Sequence, residues 1–469
     1  MSDAFTLRAQ IADRASASDR PAIDLDLDAM QALLAALDNP HERLPAVVHV
    51  AGTNGKGSVI ALLAAILAAA GKRIVAYTSP WTAHPRESLW QLEEENLAPA
   101  TTAGPRLLDE QSYDNLLARV ADASRADASL PPTAFEAETA AAFLYAAESG
   151  ADIFLLETGM GGRLDATNVV DTPLLTIITP VALDHQHFLG TSREAIASEK
   201  AGIIKPGMPV IIAPQEPDAF APLEQAARHA NAPMIAAGRD WDAFEQHGRL
   251  IFQSGDTLRD LVLPALDGRH QIANAGTAIA AADRALRELD SRTIDDATLE
   301  RGLAAVRWPC RLERLSTLER GLCVPETFEI WVDGGHNAAA AEALAHALAD
   351  MDDAAAKPIY LIVGMLQSKD ADIFLRPFRG LVRTVAAVSV GKAAHLTAPP
   401  MRRSEIVGAA EAIGIEAHAM SGIEGAVRWI VDQGESEGRI VICGSLHLAT
   451  AINAIPLDDS EKPGTSAGL

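Results

Sequence analysis

The stretch Pro45-Ala-Val-Val-His-Val-Ala51, apolar but for His49, runs into Gly52-Thr-Asn-Gly-Lys-Gly-Ser58, and that join sets the fold. The apolar run reads as a strand buried on both faces, the habit of parallel sheets. The uncharged segment Ser58 to Ala70 then reads as a helix, and after Gly71 the segment Arg73-Ile-Val-Ala-Tyr-Thr78 reads as a second strand. Strand, glycine turn, helix and strand make a βαβ unit, with its strands parallel in one sheet. Glycines in the turn let backbone N–H groups converge on phosphate oxygens, and the helix N-terminus adds its partial positive charge. Thr53, Asn54, Gly55, Lys56, Gly57 and Ser58 are therefore the candidate phosphate-binding residues, with Lys56 placed to bridge the terminal phosphates. The strict G-x-x-x-x-G-K-[ST] pattern is not met, because Val50 holds the first glycine's place and Gly57 follows the lysine. That disfavours an ordinary kinase or GTPase loop.

Outward from this unit the alternation continues. Thr139 to Ser149 reads as a helix, and Asp152 to Leu156, Leu174 to Ile178 and Val210 to Ala213 read as strands. Gln271 to Leu289 is a helix with alanine along one face. At Arg307-Trp-Pro-Cys-Arg-Leu-Glu313 the proline stops helix and the register restarts. A second set of strands follows at Glu329 to Val332, Ile359 to Val363, Val385 to Val390 and Arg439 to Cys443. The fold class is α/β: a P-loop-type parallel-sheet ATPase domain over residues 1–308, then a smaller Rossmann-like α/β domain over 309–469. The opening, Met1 to Asp19, reads as a loose tail or a first helix, and Asp458 to Leu469 as a frayed tail. The acidic segment Leu92 to Arg125 takes no assignment.

Composition bounds the function. The chain has 469 residues, and 48% hydrophobic against 22% charged is globular composition. A net charge of −24 repels phosphate backbones at long range, so no nucleic-acid partner is expected. Cys310, Cys323 and Cys443 are too few and scattered for a disulfide framework or zinc cluster, which fits a reducing compartment. The longest uncharged apolar run, Val59 to Gly71, is too short to span a bilayer, and the N-terminus has no signal-peptide core. A cytoplasmic protein without a membrane partner is expected.

The specific signal is an ordered series of motifs. Val48-His-Val-Ala-Gly-Thr-Asn-Gly-Lys-Gly-Ser58, with the lead-in Leu33-Leu-Ala-Ala-Leu-Asp-Asn-Pro40, resembles the nucleotide loop of folylpolyglutamate and dihydrofolate synthases, a branch of the Mur-ligase superfamily. Further motifs appear in the family's order across roughly residues 25 to 450. Glu157, in Glu157-Thr-Gly-Met-Gly-Gly-Arg-Leu-Asp-Ala-Thr-Asn168, sits at a strand's end where a magnesium ligand belongs, and resembles the family's metal-binding glutamate. His185, in Asp184-His-Gln-His-Phe-Leu-Gly190, matches its metal-ligand histidine, although Mg²⁺ prefers oxygen and the residue type alone would not point there. Lys200, in Ser198-Glu-Lys-Ala-Gly-Ile-Ile-Lys205, corresponds to a lysine that family members carry as a carbamate, a carboxylate-like ligand beside Mg²⁺. Ser79, in Tyr77-Thr-Ser-Pro80, resembles the hydroxyl that completes the first metal's shell.

For the nucleotide, the resemblance implies contacts from Asn274, from Arg311 to the phosphates, and from Asp333 and His336, in Asp333-Gly-Gly-His-Asn337, to the ribose and the reacting phosphate. A cysteine, Cys310, replaces the more usual glycine before Arg311. Asp333 could equally cap the next helix. Thr133-Ala-Phe-Glu-Ala-Glu-Thr139 also fits the family pattern.

The implied activity uses ATP and Mg²⁺, at two metal sites, to join L-glutamate to a pterin carboxylate through an acyl phosphate. Lys56, Lys200 and His336 carry the catalytic roles. Small-molecule substrates are the implied partners, and a monomer the implied state. Two positions depart from the pattern near the implied pterin site: Trp81 stands for a histidine and Ser88 for an arginine. His447, in Cys443-Gly-Ser-Leu-His447, stands where an aromatic hydroxyl is often found. A ligase of the same mechanism with another carboxylate acceptor is the alternative. An inactive nucleotide- or pterin-binding relative would be expected to lose Lys56, Glu157, His185, Lys200, Arg311 or His336, and all are present.

Overall fold

The computed structural model describes residues 3–18, 21, 23–81, 84–97, 104–125, 131–315, 324–391 and 398–452. The expected frayed tail after Asp458 lies outside these. The chain divides into two compact units, Met1–Trp308 and Pro309–Leu469.

The first unit is built on a sheet of eight strands among the described residues: β1 (Ala46–Ala51), β2 (Ile74–Tyr77), β3 (Leu89–Leu92), β4 (Arg106–Leu107), β5 (Ile153–Glu157), β6 (Leu175–Ile178), β7 (Val210–Ile212) and β8 (Met234–Ala236). Their order is β4-β3-β2-β5-β1-β6-β7-β8. The six strands from β2 to β8 run parallel as expected, but β3 and β4 add an antiparallel edge that the sequence reading missed. The glycine turn lies at the carboxyl end of central β1, where open α/β sheets place ligands.

Helices cover both faces: α1 (Asp3–Ala17), α2 (Asp28–Ala36), α3 (Lys56–Ala69), α4 (Glu110–Ala123), α5 (Ala134–Glu148), α6 (Gln186–Leu189), α7 (Arg193–Lys200), α8 (Pro217–His229), α9 (His270–Asp290) and α10 (Asp296–Ala305). Strand alternation assigns the faces. Val48, Val50, Ile74, Ile153 and Leu155 pack with α3, α9 and α10. Val47, Val75, Tyr77, Phe154 and Leu156 pack with α1, α2, α4 and α5. α3 is buried on all sides, which its uniformly apolar sequence requires. Each fully buried Leu or Ile in it contributes about 1.5–3 kcal/mol. α5 begins at Ala134, earlier than the predicted Thr139, because Thr133 and Glu136 form a capping box at its start. A separate antiparallel meander, β9 (Trp241–Gln246), β10 (Arg249–Ser254) and β11 (Thr257–Leu261), was not foreseen either.

The second unit carries a sheet ordered β12-β13-β17-β14-β15-β16: β12 (Glu313–Leu315), β13 (Phe328–Val332), β14 (Ile359–Val363), β15 (Thr384–Ala387), β16 (Glu416–Ala419) and β17 (Gly438–Cys443). It is parallel except for β12. Its helices are α11 (Ala338–Ala354), α12 (Ala371–Leu375), α13 (Arg403–Ala412), α14 (Ile423–Val431) and α15 (Leu446–Ala451).

The seat of α3 is testable at Gly302 of α10, where an added Cβ would lie 2.6 Å from Ile66 Cα and 2.8 Å from Ile66 N, backbone that cannot yield. Gly302→Ala gains about 1 kcal/mol of helix propensity but incurs about 1–3 kcal/mol of overpacking. It is therefore expected to lower the thermal unfolding midpoint. A raised midpoint would contradict this packing.

Candidate active site

The phosphate loop is shaped by close approach. Gly55 has φ +83°, and a Cβ there would lie 2.7 Å from Asn274 Oδ1. At Gly57 it would lie 2.8 Å from Trp308 Nε1. Neither site tolerates a side chain, so both glycines are dictated by geometry. The N–H groups of Thr53 and Asn54 donate to Pro180 O at 3.0 and 3.2 Å, so they are turned into the protein. The loop's outward donors lie one turn later. The first helical bond is Val59 N–H to Gly55 O at 2.8 Å, leaving Lys56, Gly57 and Ser58 N–H at the open end of α3 without helical acceptors. Such a cradle fits a phosphate group.

Beside the cradle the structure gathers three charged groups. Glu157, at the end of β5 and 3% exposed, accepts a hydrogen bond from Ser79 N–H at 3.2 Å. Lys56 Nζ lies 3.7 Å from its other oxygen. Lys200, at the end of α7 and 4% exposed, donates to Gly52 O at 2.7 Å. Burial, then the Lys56 charge, push the Lys200 amine down to about 7, with Asp184 and Asp165 pulling the other way. A carboxylate and a serine in contact supply hard oxygen donors suited to Mg²⁺. His185 is exposed at the head of α6 with φ +50°, its N–H on Asp184 Oδ1 at 2.8 Å. Among the described residues, no three His, Cys, Asp or Glu side chains form a metal-binding group, so His185 does not join Glu157 in such a cluster.

The turn after Glu157 is fixed from below by residues whose role the sequence reading missed. His49 of β1 is fully buried, with Nε2 2.8 Å from Thr167 Oγ1, which donates in turn to Asp165 Oδ1 at 2.6 Å. Thr167 spends its proton on Asp165, so His49 is the Nε2–H donor. Asp165 Oδ2 accepts Met160 N–H at 2.7 Å, closing the turn. Burial raises the Asp165 carboxyl. Asn168 Nδ2 donates to Arg163 O at 3.0 Å and Gly202 O at 3.1 Å, tying this turn to the Lys200 segment. A histidine in the middle of an apolar strand was the one available signal. On the other side, Gln271, also missed, accepts from Asn274 Nδ2 at 2.9 Å and so orients Asn274 against Gly55.

In the second unit, Asp333 follows β13 and accepts from Leu312 N–H at 3.0 Å and Gly335 N–H at 2.7 Å. It does not cap α11; Asn337 does, accepting from Ala340 N–H at 3.0 Å. His336 Nδ1 lies 3.1 Å from Gly334 O. Arg311 donates to Cys310 O at 3.0 Å. Cys310 and Leu312 flank it with φ +58° and +46°, the left-handed region where a glycine is the ordinary choice.

Comparisons with known proteins point to one family. A family model described as Mur ligase middle domain matches residues 50–282. A second, dihydrofolate synthetase, C-terminal domain, matches 319–455. The dihydrofolate synthase/folylpolyglutamate synthase of Bacillus subtilis is 35% identical over 335 residues, covering 69% of this chain and 71% of its own. The structure of Escherichia coli FolC in complex with DHPP and ADP superposes with a TM-score of 0.80 at 25% identity, covering 97% of each chain. That of the Yersinia pestis bifunctional folylpolyglutamate synthase/dihydrofolate synthase with AMPPNP and Mn ion gives 0.76 at 27%, covering 92% of this chain and 93% of its own.

His49 gives a pH prediction. Burial, aided by the Lys205 charge, lowers its imidazole from 6.5 to about 3 in the folded chain. Between those values the unfolded chain binds the proton and the folded one does not, so stability present above 6.5 is lost as pH falls towards 3. His49→Gln can keep an N–H donor for Thr167 without titrating. The parent is expected to lose stability more steeply than the variant on acidification, by at most about 1.4 kcal/mol per pH unit. Parallel curves in denaturant melts would contradict the assignment.

Proposed function

This chain belongs to the dihydrofolate synthase/folylpolyglutamate synthase family of Mur-type ligases, and from that premise we propose that it joins L-glutamate to a pterin-bearing carboxylate at the expense of ATP. The acceptors are dihydropteroate, giving dihydrofolate, and folates whose glutamate tail is extended. The observation that carries this reading is the gathering of Lys56, Glu157 and Lys200 beside the α3 cradle.

In the reaction a carboxylate oxygen of the acceptor attacks the γ-phosphorus and ADP leaves, giving an acyl phosphate. The glutamate amine then attacks the acyl carbon, phosphate departs, and the amine loses a proton. No residue nucleophile is required. Lys56 holds the terminal phosphates and offsets the charge on the transferring oxygens, with the N–H groups of Gly57 and Ser58 beside it. Asn274 holds the loop and contacts the nucleotide. In the second unit we assign Arg311 to the phosphates, Asp333 to the ribose and His336 to the reacting phosphate.

Mg²⁺, at two sites, would supply further charge neutralisation when bound, held by Ser79, Glu157, His185 and Lys200. Lys200 fits a carbamate: its amine is half neutral near pH 7 and can add CO₂ with loss of a proton. The carbamate would also remove the repulsion from Lys56. We assign such an enzyme to the cytoplasm as a monomer. Of the two departures that favoured another acceptor, Trp81 and Ser88 are both buried, 6% and 1% exposed.

The test is phosphate release with ATP, Mg²⁺ and L-glutamate, adding dihydropteroate or tetrahydrofolate separately and weighing the products. Release that depends on either acceptor, with a mass gain of one glutamate, is expected. Glu157→Gln is expected to lose about 10–100-fold in turnover. No product from either acceptor, while ATP binds, would overturn the folate assignment.

A further inference from the structure

Trp81 stands two residues after Ser79, whose N–H orients Glu157. Its burial comes from α1 and α5. The Phe5 ring meets the indole edge-on, 6.0 Å between centroids, and the Arg8 guanidinium lies 5.5 Å from the ring centroid. Phe5 and Arg8 are three residues apart, on one face of α1. Arg8 Nε also donates to Glu138 Oε1, and the Trp81 side chain hydrogen-bonds the same carboxylate. Glu138 is 6% exposed. A carboxylate so placed is held only by such partners, and removing one leaves it costly. Upstream, Thr78 is clamped by its N–H on Ser88 O at 2.8 Å and by Trp90 Nε1 on its hydroxyl at 3.1 Å. Ser79 is therefore held from before by Thr78 and from behind by Trp81.

We propose that Arg8 and Glu138 are positioning residues for the ligase reaction: by fixing the Trp81 indole they keep the Ser79 turn, and so the Glu157 carboxylate, in place for the metal. Trp81 serves the internal frame rather than reaching the acceptor. The inference rests on the reading of Glu157 as a metal ligand.

The test compares Arg8→Ala with Arg14→Ala by titrating Mn²⁺ into protein with AMPPNP and following the free ion by electron paramagnetic resonance. Arg14 fastens the far end of α1, donating to Ser124 Oγ and O at 3.1 and 2.9 Å. Loosening α1 as such would make the two variants alike. Arg8→Ala is expected to weaken Mn²⁺ about tenfold, and to lower kcat with KM for ATP unchanged. Arg8→Lys should recover most of this, and Arg14→Ala should keep the parent's values. Trp81→Phe, which keeps an aromatic ring under Arg8 but loses the indole N–H and the second ring, gives the same answer in smaller measure should Arg8→Ala not fold. Equal effects from Arg8→Ala and Arg14→Ala, or a change in melting temperature alone, would overturn the proposal. A parent that binds Mn²⁺ but ligates nothing sinks the functional reading while the titration still decides this one. A parent that binds no Mn²⁺ overturns both the metal assignment and the inference.

Discussion

A buried lysine amine beside a second lysine is the constraint on which the first unit depends. Lys200 lies out of water with the Lys56 charge close by, and its amine falls to about 7. A cation so placed is tolerable only if it sheds its proton, finds acceptors or is chemically capped. The protein offers Gly52 O directly and the charges of Asp165 and Asp184 at longer range. Glu157 meets Lys56 on the far side. The cluster is poised for anionic, metal-bound ligands, in a molecule whose net charge of −24 would otherwise repel them.

That cluster needs a rigid frame, and the frame is made by close backbone approach. Gly162 lies where an added Cβ would sit 2.8 Å from Lys200 O, and Asn168 bridges both turns. The His49–Thr167–Asp165 chain closes the Glu157 turn from the sheet side. On the other flank, Asn274 and Trp308 close on Gly55 and Gly57. Neutral His49 suits its place, because burial and then the Lys205 charge both oppose a charged imidazole there.

The sequence carried the parallel core because it has one spelling: apolar strand, glycine turn, apolar helix. The candidate site residues Lys56, Glu157 and Lys200 were readable as members of an ordered motif series, and the structure brings them near one another. What was missed depends on tertiary placement. His49 and Asp165 meet through Thr167, which lies 118 residues beyond His49, a distance that spacing cannot reveal. Gln271 matters only because the Asn274 it orients comes up against Gly55. The meander of β9 to β11 did leave a local signal: two-residue turns at His247-Gly248 and Gly255-Asp256, with φ of +53°, +73° and +56° at His247, Gly248 and Gly255. The contacts of Trp81 with Arg8 and Glu138 were likewise not legible, because its neighbours in sequence do not show α1 and α5 closing over it.

Oxygen transfer tests the central claim most directly. Dihydropteroate labelled with ¹⁸O in its carboxylate, turned over with ATP and L-glutamate, should deliver one labelled oxygen into each inorganic phosphate released, because the attacking carboxylate oxygen leaves with the phosphoryl group. Unlabelled phosphate accompanying amide product would contradict an acyl-phosphate route and, with it, the roles of Lys56 and Glu157 in phosphoryl transfer.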